Sequence, residues 1–419
     1  MKKSMIIAAV AALALCACTK VESYQNTTEE NEISFGVYVP KAVTKAGSTA
    51  VLNDATALQA AHFGVFAAHS TGTPGAYGAS DTMDFMWNQE VTYSGGWQYS
   101  PVKYWPNQHG TAAVSTPVDK LSFFAYAPYV EATPADGTIT SNNTWGITAF
   151  TSNTATGDPK VTYVCDATHP VDLLWGVIDE SKNWKDANST NLALTAGLPY
   201  LNLIKPYGTT KVKFLFKHAL AKIVVDVKTV EDGAGISNIG VDDGTRIFIE
   251  SLTLTGSSIY NSGVLNLNNT VANTPKWEVS GSPTTTFVVN IEDKDQLYVA
   301  STPSAWDNNW NSTGTGKTGV TTTIATLYTG IAIPNSGTSL DSVTIVYDVI
   351  TKDANLAGGV SVIKNTITKD VTPAAFDNLQ AGNVYTLHLQ LGMRTVDIDA
   401  EITDWVSTVN TTVDLPANN

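Results

Sequence analysis

Apolar and polar residues alternate with period two through much of this chain. The run Ile33-Ser34-Phe35-Gly36-Val37-Tyr38-Val39 is the first instance, and such spacing puts every second side chain on one face of a strand. Similar runs follow at 63–67, 121–126, 161–165 and 172–176. A second series lies at 212–216, 223–227, 247–254, 286–291, 327–333, 343–349, 384–391 and 396–402. Gly, Asn, Asp, Ser and Pro separate the runs, as at Ser94-Gly95-Gly96 and Asp232-Gly233. Helical periodicity is weak, and residues 55–61 have room for only a turn or two. Regularly spaced strands without intervening helices predict an all-β chain of sandwiches or barrels.

A chain of 419 residues is too long for one ordinary domain. The polar, proline-bearing Lys205-Pro206-Tyr207-Gly208 is the best break. It predicts an N-terminal β-sandwich over 46–207 and a C-terminal one over 208–419.

Composition strengthens the β reading. Thr occurs 56 times, and its branched Cβ suits half-exposed strands. Only 15% of residues are charged and 43% are apolar, against about 25% charged in ordinary soluble chains. A large core is therefore available. The formal net charge of −14 repels phosphate backbones and argues against a nucleic-acid partner. Arg246 and Arg394 are the only arginines, so bidentate anion clamps are scarce.

The N-terminus reads as an export signal. Lys2 and Lys3 precede an apolar run over 5–15, then Leu15-Cys16-Ala17-Cys18. The run is too short to span a membrane and has the flanks of a secretory signal. The tract resembles a bacterial lipobox, which makes residues 1–17 a lipoprotein signal peptide and Cys18 the acylated first residue of the mature protein. Thr19, where Asp would retain a lipoprotein in the inner membrane, resembles outer-membrane sorting. Residues 19–31 are a polar tether. With Cys16 removed and Cys18 lipidated, Cys165 is alone and no internal disulfide can form.

Catalytic signatures are lacking. The sequence holds no P-loop, dinucleotide fingerprint, HExxH or zinc spacing, so no enzyme, cofactor or metal is expected. Cys165 with Asp166 and His169 does not have the spacing of a triad, and a cysteine in a strand-like run packs inside. His218 and His388 lie in strand-like runs as packed or surface residues. The acidic groups Asp242-Asp243, 292–295 and Asp397-Ile398-Asp399 match no EF-hand and read as solvated turns. Trp87, Trp97 and Trp105 either anchor a sandwich edge or form a sugar platform; the anchor is favoured.

Several tracts taken together resemble the fimbrillin family, lipoprotein pilins of Bacteroidales. They are Phe85-Met86-Trp87-Asn88, the stretch 96–106 (GWQYSPVKYWP), Phe123-Phe124-Ala125-Tyr126-Ala127-Pro128 and Asp172-Leu173-Leu174-Trp175. Residues 214–223 (FLFKHALAKI), Gly330-Ile331-Ala332-Ile333-Pro334, Ala381-Gly382-Asn383-Val384-Tyr385 and 400–405 (AEITDW) complete the set. The resemblance implies two tandem transthyretin-like β-sandwich domains. It also implies assembly with other fimbrial subunits at the cell surface, anchored at first to the outer membrane by the lipid on Cys18. A trypsin-like surface protease then removes the first strand, and a neighbour's terminal strand takes its place. Thr44-Lys45-Ala46 occupies the cleavage position, so Lys45 and Ala46 flank the cut and 18–45 is lost. Lys45 departs from the arginine of the best-known relatives.

A strand-exchange subunit needs an extended, partly apolar terminal segment to donate. Residues 396–415 supply two stretches, with Val396, Ile398, Ala400 and Ile402 on one face and Val413 and Leu415 on another. A stalk position is therefore favoured over a tip. The alternatives are a fimbrial tip adhesin, a lipid-anchored glycan-binding sandwich, and a sandwich hydrolase that would need a constellation the sequence does not display.

Overall fold

The period-two runs fold as strands. The computed structural model describes residues 32–38, 52, 54–71, 76–106, 119–141, 143–185, 191–206, 211–229, 245–279, 282–290, 325–353, 355–356, 360–372, 374–392 and 396–405. In chain order the strands begin with β1 (Phe35–Tyr38), β2 (Phe63–Ser70), β3 (Met86–Tyr93), β4 (Trp97–Gln98), β5 (Lys120–Ala127) and β6 (Gly146–Phe150). Next come β7 (Lys160–Val164), β8 (Leu174–Ile178), β9 (Lys182–Lys185), β10 (Asn191–Leu194), β11 (Tyr200–Leu203) and β12 (Val212–His218). The second half holds β13 (Ala221–Thr229), β14 (Thr245–Ile259), β15 (Ser262–Asn266), β16 (Lys276–Glu278) and β17 (Thr284–Asn290). Last are β18 (Ala325–Ala332), β19 (Ser342–Lys352), β20 (Val360–Asp370), β21 (Asn383–Leu391) and β22 (Val396–Asp404). Among the described residues one α-helix occurs, α1 (Ala55–Ala61). The Asp54 carboxylate caps it by accepting the Ala57 N–H at 2.8 Å.

A central sheet runs β1-β12-β8-β5-β2-β3-β4, with β11 paired to β5. Both of its faces are buried, and alternate residues of one strand enter different cores. On β2, Phe63, Val65 and Ala67 join the core beneath α1, whereas Phe66 and Ala68 face the sheet β16-β15-β7-β6. Trp175 and Val177 of β8 follow Phe66, while Leu174 and Ile178 follow Phe63. Gly176 between them is a packing requirement: a Cβ there would lie 2.9 Å from Ala125 Cβ and 3.0 Å from the Phe214 ring.

The second sandwich faces sheet β18-β13-β21-β22 against β17-β14-β19-β20. Its core includes Ile223, Val225, Ile247, Leu252, Ile345, Tyr347, Leu387 and Leu389. Burying one such side chain is worth about 1.5–3 kcal/mol, so apolar burial holds the fold without cross-links.

The tract Lys205-Pro206-Tyr207-Gly208 is followed by one more strand of the central sheet, β12, and the second sandwich starts at Ala221. The chain then crosses back. β15 follows β14 after two residues and pairs with β7, Ser262 opposite Val164 and Asn266 opposite Lys160.

Candidate strand-exchange site

The first strand is held from both sides. β1 pairs in parallel with β12, Phe35 opposite Val212 through Tyr38 opposite Leu215, and the Val212 N–H donates to Ser34 O at 3.0 Å. Along its other flank, the Ile33 N–H donates to Lys103 O at 2.9 Å and Glu32 bridges Tyr104 antiparallel. The segment therefore sits between the β12 edge of the central sheet and the chain just beyond β4, at the sheet's opposite end.

Alternation along this segment decides what it buries. Ile33 and Phe35 are fully buried, and Val37 packs against the same core. The Phe35 ring lies 6.1 Å from Phe214 in a stacked arrangement, 6.0 Å from Phe123 and 5.3 Å from Tyr99 between centroids. The Tyr99 hydroxyl donates to Ile33 O at 2.8 Å and accepts the Lys103 N–H at 3.1 Å. Burial pushes the Tyr99 phenol up to about 12, so it remains a donor at any physiological pH. Taking the segment out would uncover an aromatic slot floored by Phe63, Phe123 and Phe214. It would also strand backbone groups on both walls, at about 1–3 kcal/mol for each one buried. An incoming extended strand satisfies both needs.

A second polar group lies at the far end of β12. His218 and Asp172 are buried, with His218 Nδ1 2.9 Å from Asp172 Oδ2. The other face of the imidazole is covered by Trp405, just past β22. Asp172 Oδ2 also accepts the Leu52 N–H at 3.0 Å. Four remote stretches, at 52, 172, 218 and 405, thus meet at one histidine–carboxylate contact.

Cys18, Lys45, Ala46 and residues 406–415 lie outside the described residues, as do Asp242-Asp243 and 292–295. Cys165 is a buried free thiol pushed up to about 12 by burial. That suits packing and not attack. His218 is packed as its strand context predicts, and His388 Nδ1 sits 3.4 Å from Asp226 Oδ2. Among the described residues no group of His, Cys, Asp and Glu could hold a metal ion, and no helix is long and apolar enough to cross a membrane. The three tryptophans are anchors. Trp87 Nε1 donates to Thr151 O at 2.9 Å, Trp105 packs on Phe123 and Trp184, and Trp97 packs on Phe63.

Sequence reasoning missed two functional groups here. Tyr99 carried no signal, because its partners Ile33 and Lys103 are backbone atoms. Asp172 did carry one. A carboxylate heading the apolar Asp172–Gly176 run needs a buried partner, and His218 in a second apolar run is the candidate.

The profile of the fimbrillin-like family matches residues 44–405, and the chain belongs to that family. In fold it is similar to the crystal structure of a fimbrial protein from Bacteroides vulgatus, with a TM-score of 0.55 at 19% identity over 90% of this chain and 99% of that one. A structure with a provisional cell-adhesion name from Bacteroides uniformis aligns at TM-score 0.43 and 14% identity, over 90% of this chain and 98% of that one. No curated protein matches. The family match makes this chain fimbrillin-like, and its fold is shared with a solved fimbrial protein.

Proposed function

We propose that the chain is a non-enzymatic stalk subunit of a surface fimbrium, polymerised by protease-triggered strand exchange. It is exported as a lipoprotein on Cys18, reaches the outer membrane, and is cut after Lys45 by a trypsin-like surface protease. The cut releases 18–45 and with it β1. The emptied slot receives the terminal segment of the next subunit, within 406–419. Two sandwich domains in tandem, the second beginning after β12, form the repeating unit.

The observation that supports this reading is the two-sided seat of β1. The segment 32–38 has backbone partners at β12 and at Lys103, and its side chains Ile33 and Phe35 are buried in the first core. It precedes Lys45, so one cut frees it without breaking any later strand.

Purified precursor should stay monomeric until treated with a Lys-specific protease, then give ladders that resist SDS. The new N-terminus should be Ala46. Monomeric product after complete cutting at Lys45, or undiminished polymerisation by a chain lacking 406–419, would overturn the proposal.

A further inference from the structure

Away from the β1 seat, a cleft of about 410 Å³ opens where three turns converge. One wall is the end of the β15–β16 connection with the start of β16 (270–277), another is 334–336 after β18, and the third is 378–381 before β21. Its lining includes Asn273, Trp277, Asn335, Asn378 and Gln380.

Each wall is fixed by bonds made behind it. In the first, the Asn273 N–H donates to Gly197 O at 3.0 Å, and the Asn269 side-chain amide, buried below, donates to Gly197 O at 2.8 Å and Val271 O at 2.9 Å. In the second, the Thr338 N–H donates to Asn335 O at 2.9 Å, closing the turn. In the third, the Leu379 N–H donates to Thr338 O at 2.8 Å and the Gln380 N–H to the Tyr385 hydroxyl at 2.7 Å. Trp277 is fixed too, its Nε1 donating to Ala219 O at 2.8 Å. A site whose backbone is already ordered loses little freedom on filling.

The chemistry of the lining selects the ligand. Side-chain amides present a donor and an acceptor side by side, which matches the paired lone pair and O–H of a hydroxyl. Asn335 and Asn378 make no side-chain hydrogen bond among the described residues, so both amides are available. The indole offers an apolar face to C–H groups. Lys276 is the sole cation of the lining, and its ammonium lies 3.5 Å from Asp158 Oδ2. With the net charge of −14, an anion finds no welcome. The lining is too polar for a greasy ligand.

We infer that this cleft between the 270–277, 334–336 and 378–381 turns binds a neutral saccharide unit, with Asn335 and Asn378 reading its hydroxyls and Trp277 stacking under its ring. Carbohydrate recognition here is independent of strand exchange, since no cleft residue belongs to β1, β12 or the 97–104 segment. Every subunit would carry one such site along its flank.

The test uses the uncut full-length chain, so polymerisation does not enter. It is applied to a printed array of neutral oligosaccharides of hexose, N-acetylhexosamine and fucose, alongside sialylated and sulfated versions of the same cores. Hits are then measured in solution by saturation-transfer NMR. At least one neutral saccharide should bind, and Asn335→Ala with Asn378→Ala should weaken it at least tenfold at an unchanged circular dichroism spectrum. Gln380→Ala, which removes an exposed side chain of the third wall, should also reduce binding. Absence of any neutral hit, preference for the charged versions, or unchanged binding by both variants would overturn the inference.

Discussion

The imidazole of His218 lies flat on the indole of Trp405, with ring centroids 4.0 Å apart and planes 7° from parallel. The contact joins the last residue of β12, the strand that carries β1, to the residue where the described chain ends. Asp172 holds the imidazole by its edge, so an apolar face and a hydrogen-bonded edge fix the same ring.

His218→Ala should destabilise the fold by about 3–5 kcal/mol, because it leaves the Asp172 carboxylate buried beside a void. Urea denaturation measures it. Asp172→Asn should cost less, since an amide oxygen can still accept the Leu52 N–H. Equal losses from the two variants would mean that the negative charge of Asp172 contributes little to the contact.

Tyr99→Phe removes the hydroxyl that ties Ile33 to Lys103. The expected loss is about 0.5–1.5 kcal/mol, with the effect concentrated at the first strand. Hydrogen exchange should rise at Ile33 and along β1 while β13 and β19 are unchanged. Uniform acceleration across both sandwiches would contradict a local clamp.

Phe35→Ala should cost the precursor about 3–5 kcal/mol, as expected for an aromatic ring lost from a packed core. If β1 leaves on maturation, assembled fibres made from this variant should melt like those of the parent. A fibre that inherits the defect would show that residue 35 has stayed in place.

Cys165 should not react with a water-soluble disulfide reagent at neutral pH, because burial raises its thiol to about 12. In denaturant the thiol returns towards about 8.5 and should react at once. Reaction in the native state as fast as in denaturant would mean the site opens freely.

Asp166 should titrate near 2. Its carboxylate accepts the Thr168 hydroxyl first of all, then the Thr168 and His169 N–H groups and the His169 ring, and these outweigh its slight desolvation. A depressed carboxyl contributes stability that is complete above its ordinary range near 3.9 and fades as pH falls towards 2. Carboxyl NMR shifts follow it directly, and Thr168→Val should move the midpoint upward.

Much of this architecture was legible in the alternation of side chains. Phe63, Phe123 and Phe214 were recognisable as strand residues, and α1 was foreseen as a turn or two of helix. What the period could not disclose was that β2, β5 and β8 bury both faces, since a continuous run such as Phe63–Ser70 resembles a one-faced strand with a few extra apolar residues. The return of β15 to β7 was equally hidden, because pairing partners 100 residues apart leave no local mark. For the site, the alternation over 33–39 predicted the strand that β1 forms, whereas its removal is what the family resemblance implies. The Tyr99 clamp used backbone partners and was therefore silent.

The passage from β14 into β15 has a mechanical consequence. Fifteen residues of β14 lie in one sandwich, and two residues later the chain is laddered to β7 in the other. A pull on the second sandwich is thus delivered to the first through a stretch of paired backbone, with no slack tether to pay out. The two halves should yield to tension as one body, so a shaft built from such units would lengthen in long single steps instead of unravelling domain by domain.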